Sequence, residues 1–198
     1  ADDFVACFGY RHEAEAFQRA LAERLQEYGL ELAADKTKRL RFGRGGGKHN
    51  GRFDFLGFEF SWAVSRKGQP FVQRRTARKK LKSSLARFTE WVKTQRSVKV
   101  REVMNALRKK LTGYGNYYGV RGNSRSLGQF FYRANRILFK WLNRRSRKRS
   151  YSWKAFNRML THFGIREPRV NQKPDPPCRQ REMNLCDLVF RLASAWRV

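Results

Sequence analysis

Ala1-Asp2-Asp3-Phe4-Val5-Ala6-Cys7-Phe8 sets two adjacent carboxylates directly before an apolar, strand-like run. Neighbouring aspartates repel, and the repulsion raises a pKa unless a cation lies between them. A pair at the tight turn before a buried strand points to a divalent metal. Oxygen ligands with a partly open shell suit Mg²⁺ held together with a phosphate substrate. The same residues also fit a plain Asp-Asp turn opening a hairpin, since Asp is common in turns.

Charge beyond this head points to a polyanion. The formal net charge is +29 over 198 residues. Residues 1–35 hold eight acidic and three basic side chains, whereas residues 36–198 hold eight acidic and 42 basic ones. An acidic head on a basic body fits a nucleic-acid partner. Aromatic residues, 14% of the chain, are interleaved with the basic ones. Lys and Arg neutralise phosphates while aromatic faces stack on bases. A merely solvated, highly charged surface is the simpler alternative. No apolar run approaches the ~20 residues that span a bilayer, so no membrane role is expected. No secretory signal is recognised and the chain does not open with Met. Cys7, Cys178 and Cys186 form no C-x-x-C pair and no zinc spacing, and read as free thiols. Together these fit a cytoplasmic setting, bacterial cytoplasm or nucleoid, or an organelle in a eukaryote. At 40% hydrophobic residues the chain can bury a core in one or two small units.

Periodicity divides the chain into a strand-rich piece and a helical piece. Phe4–Phe8 reads as a strand. A helix from Glu13 carries Phe17, Leu21, Leu25 and Tyr28 on one face and stops at Gly29. Leu30–Phe42 contains a second strand with Lys36-Thr37-Lys38. Gly43-Arg44-Gly45-Gly46-Gly47-Lys48 fails as a phosphate loop, because the first glycine is misplaced and His49 follows the lysine. It reads as a hairpin loop. Phe53 to Phe60 alternates aromatic and other residues with period two, so Phe53, Phe55, Phe58 and Phe60 cannot all share one face. A bulge or a close backbone approach is expected at Gly57, where the alternation breaks. A return strand at Phe71-Val72 closes a hairpin across Gly68.

After Arg75 the period becomes helical. Ala77, Leu81, Leu85, Phe88 and Val92 form one stripe. Val100, Met104, Leu107, Leu111 and Tyr114 form a second, ending in Gly113-Tyr114-Gly115-Asn116-Tyr117-Tyr118. Leu127, Phe131, Ala134, Leu138 and Trp141 form a third, ending in Arg144-Arg145-Ser146-Arg147-Lys148-Arg149. Three such helices make a small bundle. A shorter helix follows from Ser152, then a linker over 168–177, then an amphipathic helix with Leu185, Leu188, Val189, Leu192 and Trp196. The stripes are core. The residues fitting a nucleic-acid surface lie off them: Arg78, Lys79, Lys82, Arg108, Lys109, Arg133, Arg136, Lys140, Arg144, Arg145 and Lys148, with Tyr117, Tyr118 and Tyr132 as aromatics. Basic residues surround every stripe, so the pattern selects no single face.

Ala-Asp-Asp-Phe-Val, a helix, an Asp-Lys-Thr-Lys strand and Phe-Leu-Gly-Phe some fifty residues on resemble the second half of a reverse transcriptase palm. The basic bundle, with Gly-x-x-Asn-Tyr-Tyr in its second helix and Trp-Leu-x-Arg-Arg in its third, is similar to the maturase-specific (thumb, or X) domain. In this order the motifs resemble the group II intron reverse transcriptase/maturase family over roughly residues 1–165. The resemblance implies an α+β chain. Residues 1–75 would be the end of the palm with its antiparallel strands and one helix, and 76–165 the maturase domain; the resemblance does not reach the basic tail at 166–198, which is read separately as a DNA-binding remnant.

By the same resemblance Asp2 and Asp3 are metal-binding catalytic aspartates, and Lys36 sits near the phosphates of an incoming dNTP. Phe55, Leu56, Gly57 and Phe58 form the primer grip. The chemistry implied is two-metal phosphoryl transfer with Mg²⁺ ions about 3.5–4 Å apart. The partners implied are group II intron RNA and an RNA template with a DNA primer. The family's third carboxylate, the motif's Tyr, the fingers and the earlier palm are not in this sequence. The expectation is therefore a C-terminal fragment of an RNA-directed DNA polymerase, inactive alone. The alternative is a non-catalytic RNA-binding splicing factor that uses the basic thumb surface.

Overall fold

The computed structural model describes residues 3–32, 37–43, 51–145, 150–170 and 188–193, with backbone alone for Asp3 and 188–193. The fold is mixed α+β, in two compact units. One comprises residues 1–73 with 175–198, the other residues 74–174. Among the described residues no helix is long and apolar enough to cross a membrane.

The first unit begins with strand β1 (Asp3–Phe8) and helix α1 (Arg11–Gln26). The Tyr10 amide donates to the Glu13 carboxylate at 3.1 Å, which satisfies one of the donors that a helix start leaves open. Gly29, at φ 67°, ends the last turn, and the Leu30 amide closes back on the Leu25 carbonyl at 3.0 Å. Ala14 is fully buried beneath Ala6, Phe8, Leu21 and Leu32. Phe17 packs its ring 5.0 Å from that of Phe8. Strand β2 (Lys38–Arg41) completes one sheet, but it does not pair with β1. Between them lies strand β6 (Leu188–Ala193), antiparallel to both: Phe190 stands opposite Ala6 on one side and Arg39 on the other.

That strand corrects the amphipathic helix expected around Leu188. Leu-Val-Phe-Arg-Leu-Ala is short and apolar enough to satisfy either period. β1 and β2 each offer it a row of backbone donors and acceptors, which a helix at this place would leave unpaired.

A second sheet has the order β3-β4-β5, with β3 (Phe53–Phe55), β4 (Phe58–Val64) and β5 (Pro70–Thr76). The return strand across Gly68 is present as expected, and the Ser65 amide donates to the Gln69 carbonyl at 2.8 Å. At Leu56-Gly57 the chain makes a two-residue turn instead of a bulge, with φ of 47° and 82°. The turn shifts the alternation by one place. Phe53 therefore stands opposite Phe60, and Phe55 opposite Phe58. Directly opposed residues share a face, so all four phenylalanines lie on one side, contrary to the single-strand reading. The Phe53 and Phe60 rings stack at 5.1 Å, and buried Phe42 packs edge-on to Phe53 at 5.2 Å.

The second unit is helical: α2 (Arg78–Thr94), a 3₁₀ turn (Gln95–Ser97), α3 (Val100–Tyr118), α4 (Ser124–Leu142) and α5 (Trp153–His162). Its core joins Phe88 and Val92 of α2, Met104, Leu107 and Leu111 of α3, Leu138 and Leu142 of α4, and Phe156 of α5. Tyr114 lies flat on Phe130 at 3.7 Å. On α4 the deepest aromatic is Phe130; Phe131 and Trp141, expected inside, are half-buried at the margin of the core. Asn123, fully buried, bonds Thr76 at two atoms and the Tyr118 carbonyl at a third, all at 2.8 Å.

Candidate nucleic-acid interface

The helical unit is the cationic part of the molecule. Residues 74–174 contain 29 Lys or Arg and three acidic residues, Glu90, Glu102 and Glu167. From Val103 to Arg166 there is no acidic residue at all. A surface of mixed sign screens itself through local ion pairs; this run has no carboxylate of its own with which to do so.

α4 turns this composition into geometry. Its buried residues recur at three and four, and the opposite face exposes Arg125, Gln129, Tyr132, Arg133, Arg136 and Lys140. From Arg125 to Lys140 the row runs about 22 Å along the helix. The Arg136 guanidinium lies 5.6 Å from the centre of the Tyr132 ring, and Tyr132 is 62% exposed. A straight row of this kind suits a strand of regularly spaced phosphates, with one ring available beside it. Arg125 was not singled out by the sequence pattern, because it precedes the first core residue of the helix.

Other expected residues scatter. Arg78, Lys79 and Lys82 are exposed on the first turns of α2, and Arg108 and Lys109 on the middle of α3. Tyr117 is exposed. Tyr118 is half-buried, its ring 4.6 Å from Tyr114 and 4.8 Å from Tyr117. Burial, reinforced by Tyr117 and partly offset by Arg87, raises the pKa of its hydroxyl above the usual tyrosine value. Arg145 points inward: Nη1 donates to the Val98 carbonyl at 2.8 Å and Nη2 to the Gln95 carbonyl, bracing the 3₁₀ turn. Lys148 lies outside the described residues.

No family model, curated protein or solved structure matches this chain.

In the first unit Asp2 and Lys36 lie outside the described residues, and Asp3 is described as backbone only, at the start of β1 opposite Ala193. Among the described residues no three His, Cys, Asp or Glu side chains stand close enough to hold a metal ion. Cys7 is exposed. Phe55, Leu56, Gly57 and Phe58 come together as the tip of the β3–β4 hairpin. Leu56 sits there at φ 47° and is 57% exposed.

A leucine in the left-handed region costs about 1–2 kcal/mol, and strained positions of this kind collect at functional sites. Asn tolerates that region and suits the first position of such a turn. Leu56→Asn is therefore expected to raise the melting temperature by a few degrees. An unchanged or lower melting point would mean that the leucine side chain makes up for its own strain.

Proposed function

We propose that this chain binds RNA through the exposed basic faces of its helical unit, in the manner of the maturase-specific domain of group II intron reverse transcriptases. The observation that carries the reading is the α4 row of Arg125, Arg133, Arg136 and Lys140 beside exposed Tyr132, in a stretch free of acidic residues. The partner is a folded intron RNA or an RNA template paired with a DNA primer. The test is equilibrium binding of the full chain to a labelled structured RNA over a range of KCl concentrations. Affinity is expected to fall steeply with salt, by about 0.7–0.9 log units per phosphate contact for each tenfold rise. Weak binding without salt dependence would remove the proposal.

A polymerase role is favoured over a purely splicing one by one observation. Asp2 and Asp3 are both intact, and a pure binder has no need of them; the resemblance assigns the exposed Leu56 tip to the primer grip. On this reading Asp2 and Asp3 contribute two carboxylates to a magnesium site and Lys36 faces the dNTP phosphates. Two carboxylates are too few for two ions, so a further ligand has to come from another segment. Bound Mg²⁺ would supply the Lewis acid for nucleotidyl transfer. Asp2→Ala with Asp3→Ala separates the two readings. RNA-templated primer extension, in a polypeptide that supplies the further ligand, is expected to vanish while RNA affinity stays within twofold. A variant that still extends the primer would place the chemistry elsewhere.

A further inference from the structure

Three elements of the helical unit bring cations to one ring. Lys93 lies in the last turn of α2, Arg96 belongs to the 3₁₀ turn, and Arg144 follows α4. Their charged groups lie 5.8, 5.5 and 5.3 Å from the centre of the half-buried Trp141 ring. Arg96 Nη2 also donates to the Arg144 carbonyl at 3.3 Å, and Arg145 fastens the neighbouring carbonyls of Gln95 and Val98. The cluster is thus held on a fixed frame.

Its electrostatics are unbalanced. No two of the three charges can be farther apart than roughly 11 Å, about one Debye length at 0.1 M salt, so they repel one another. Lys93 pairs with Glu90 at 2.8 Å. The aromatic ring offsets part of the remaining repulsion. What is left is an excess of positive charge within roughly 11 Å, a span of no more than about three phosphates at about 3.4 Å of duplex axis each. The cations crowd the ring, which leaves Trp141 poorly placed to stack on a base. The chemistry that fits is phosphate.

We propose that Lys93, Arg96 and Arg144, gathered on Trp141, form a discrete cradle for successive backbone phosphates of RNA, with Trp141 as their positioning residue. The cradle rests on the RNA-binding reading above and adds a second contact point to the α4 row. The sequence pattern could not show it, because Lys93 and Arg96 meet Trp141 only through the packing of α2 against α4.

The test compares three forms of the full chain binding a labelled RNA hairpin across KCl concentrations. Lys93→Gln with Arg96→Gln and Arg144→Gln is expected to weaken binding about 100-fold at 0.1 M salt and to lower the salt slope by about two. Arg101→Gln with Lys154→Gln and Arg158→Gln removes the same charge from other exposed positions, and a loss below tenfold is expected. Trp141→Leu removes no charge, yet should weaken binding about tenfold and lower the slope, with Trp141→Phe restoring most of both. Equal losses in the two triple variants would overturn the cradle and leave RNA binding standing. A wild-type slope in Trp141→Leu would overturn the positioning role, and with it the cradle as drawn. Wild-type protein that binds no RNA would overturn both readings. All six substituted cations are exposed, so the triple variants keep the test open even if Trp141→Leu misfolds.

Discussion

Asn123→Ala is expected to lower the melting temperature of the helical unit by about 10–25 °C, the largest single-residue stability effect foreseen outside the apolar core. Asn123 Oδ1 accepts from the Thr76 amide, while Nδ2 donates to the Thr76 hydroxyl and to the Tyr118 carbonyl. Thr76 is 5% exposed and Asn123 is fully buried, so water cannot replace the lost partner. Alanine strands two backbone groups at about 1–3 kcal/mol each. In a unit of this size each kcal/mol moves the midpoint by about 4–8 °C. Thr76→Val removes the hydroxyl but keeps the amide bond, and should cost a third of that or less. Thermal melts followed by circular dichroism decide the matter. A shift under about 3 °C for Asn123→Ala would show that the three bonds hold nothing that the surrounding packing does not.

Arg133→Gln with Arg136→Gln and Lys140→Gln is expected to weaken RNA binding about 100-fold at 0.1 M salt, with the salt slope reduced by about two. These side chains are exposed on the face of α4 opposite Leu127, Phe130, Ala134 and Leu138, so their loss leaves the core intact and the melting point within a few degrees. Arg145→Gln makes the contrast. Its guanidinium bonds Val98 and Gln95 carbonyls, so it should lower the melting point and leave the slope nearly as it was. Binding titrations in parallel with melts separate the two kinds of arginine. If the α4 triple variant kept the wild-type slope, the RNA-binding face would have to lie on other helices.

The two variants also mark where sequence reading reaches its limit. Arg133 and Arg145 are both arginines beside an apolar stripe, eight residues from Arg125 and one from Arg144. Only the fold turns one to solvent and the other to the carbonyls of a 3₁₀ turn 47 and 50 residues away. Asn123 has no periodic signal at all, since its partner Thr76 lies 47 residues earlier.

Local pattern did determine a good deal. The stripes at 81–92, 100–114 and 127–138 specify α2, α3 and α4, because a buried helix face imposes a 3.6-residue period on its own residues. Gly29 and Gly68 mark real chain reversals, because both take a positive φ that other residues avoid. The charge asymmetry and the acid-free run are properties of composition and survive any fold. The four phenylalanines of β3 and β4 share a face only because a two-residue turn changes the parity between them. Tertiary structure alone decided that Leu188–Ala193 is a strand and not a helix, since its hydrogen-bond partners, β1 and β2, lie more than 140 residues away in the chain. It alone brought Lys93, Arg96 and Arg144 to one tryptophan. Period and composition are written residue by residue, whereas pairing partners and clustered charges depend on which distant segments the core brings together.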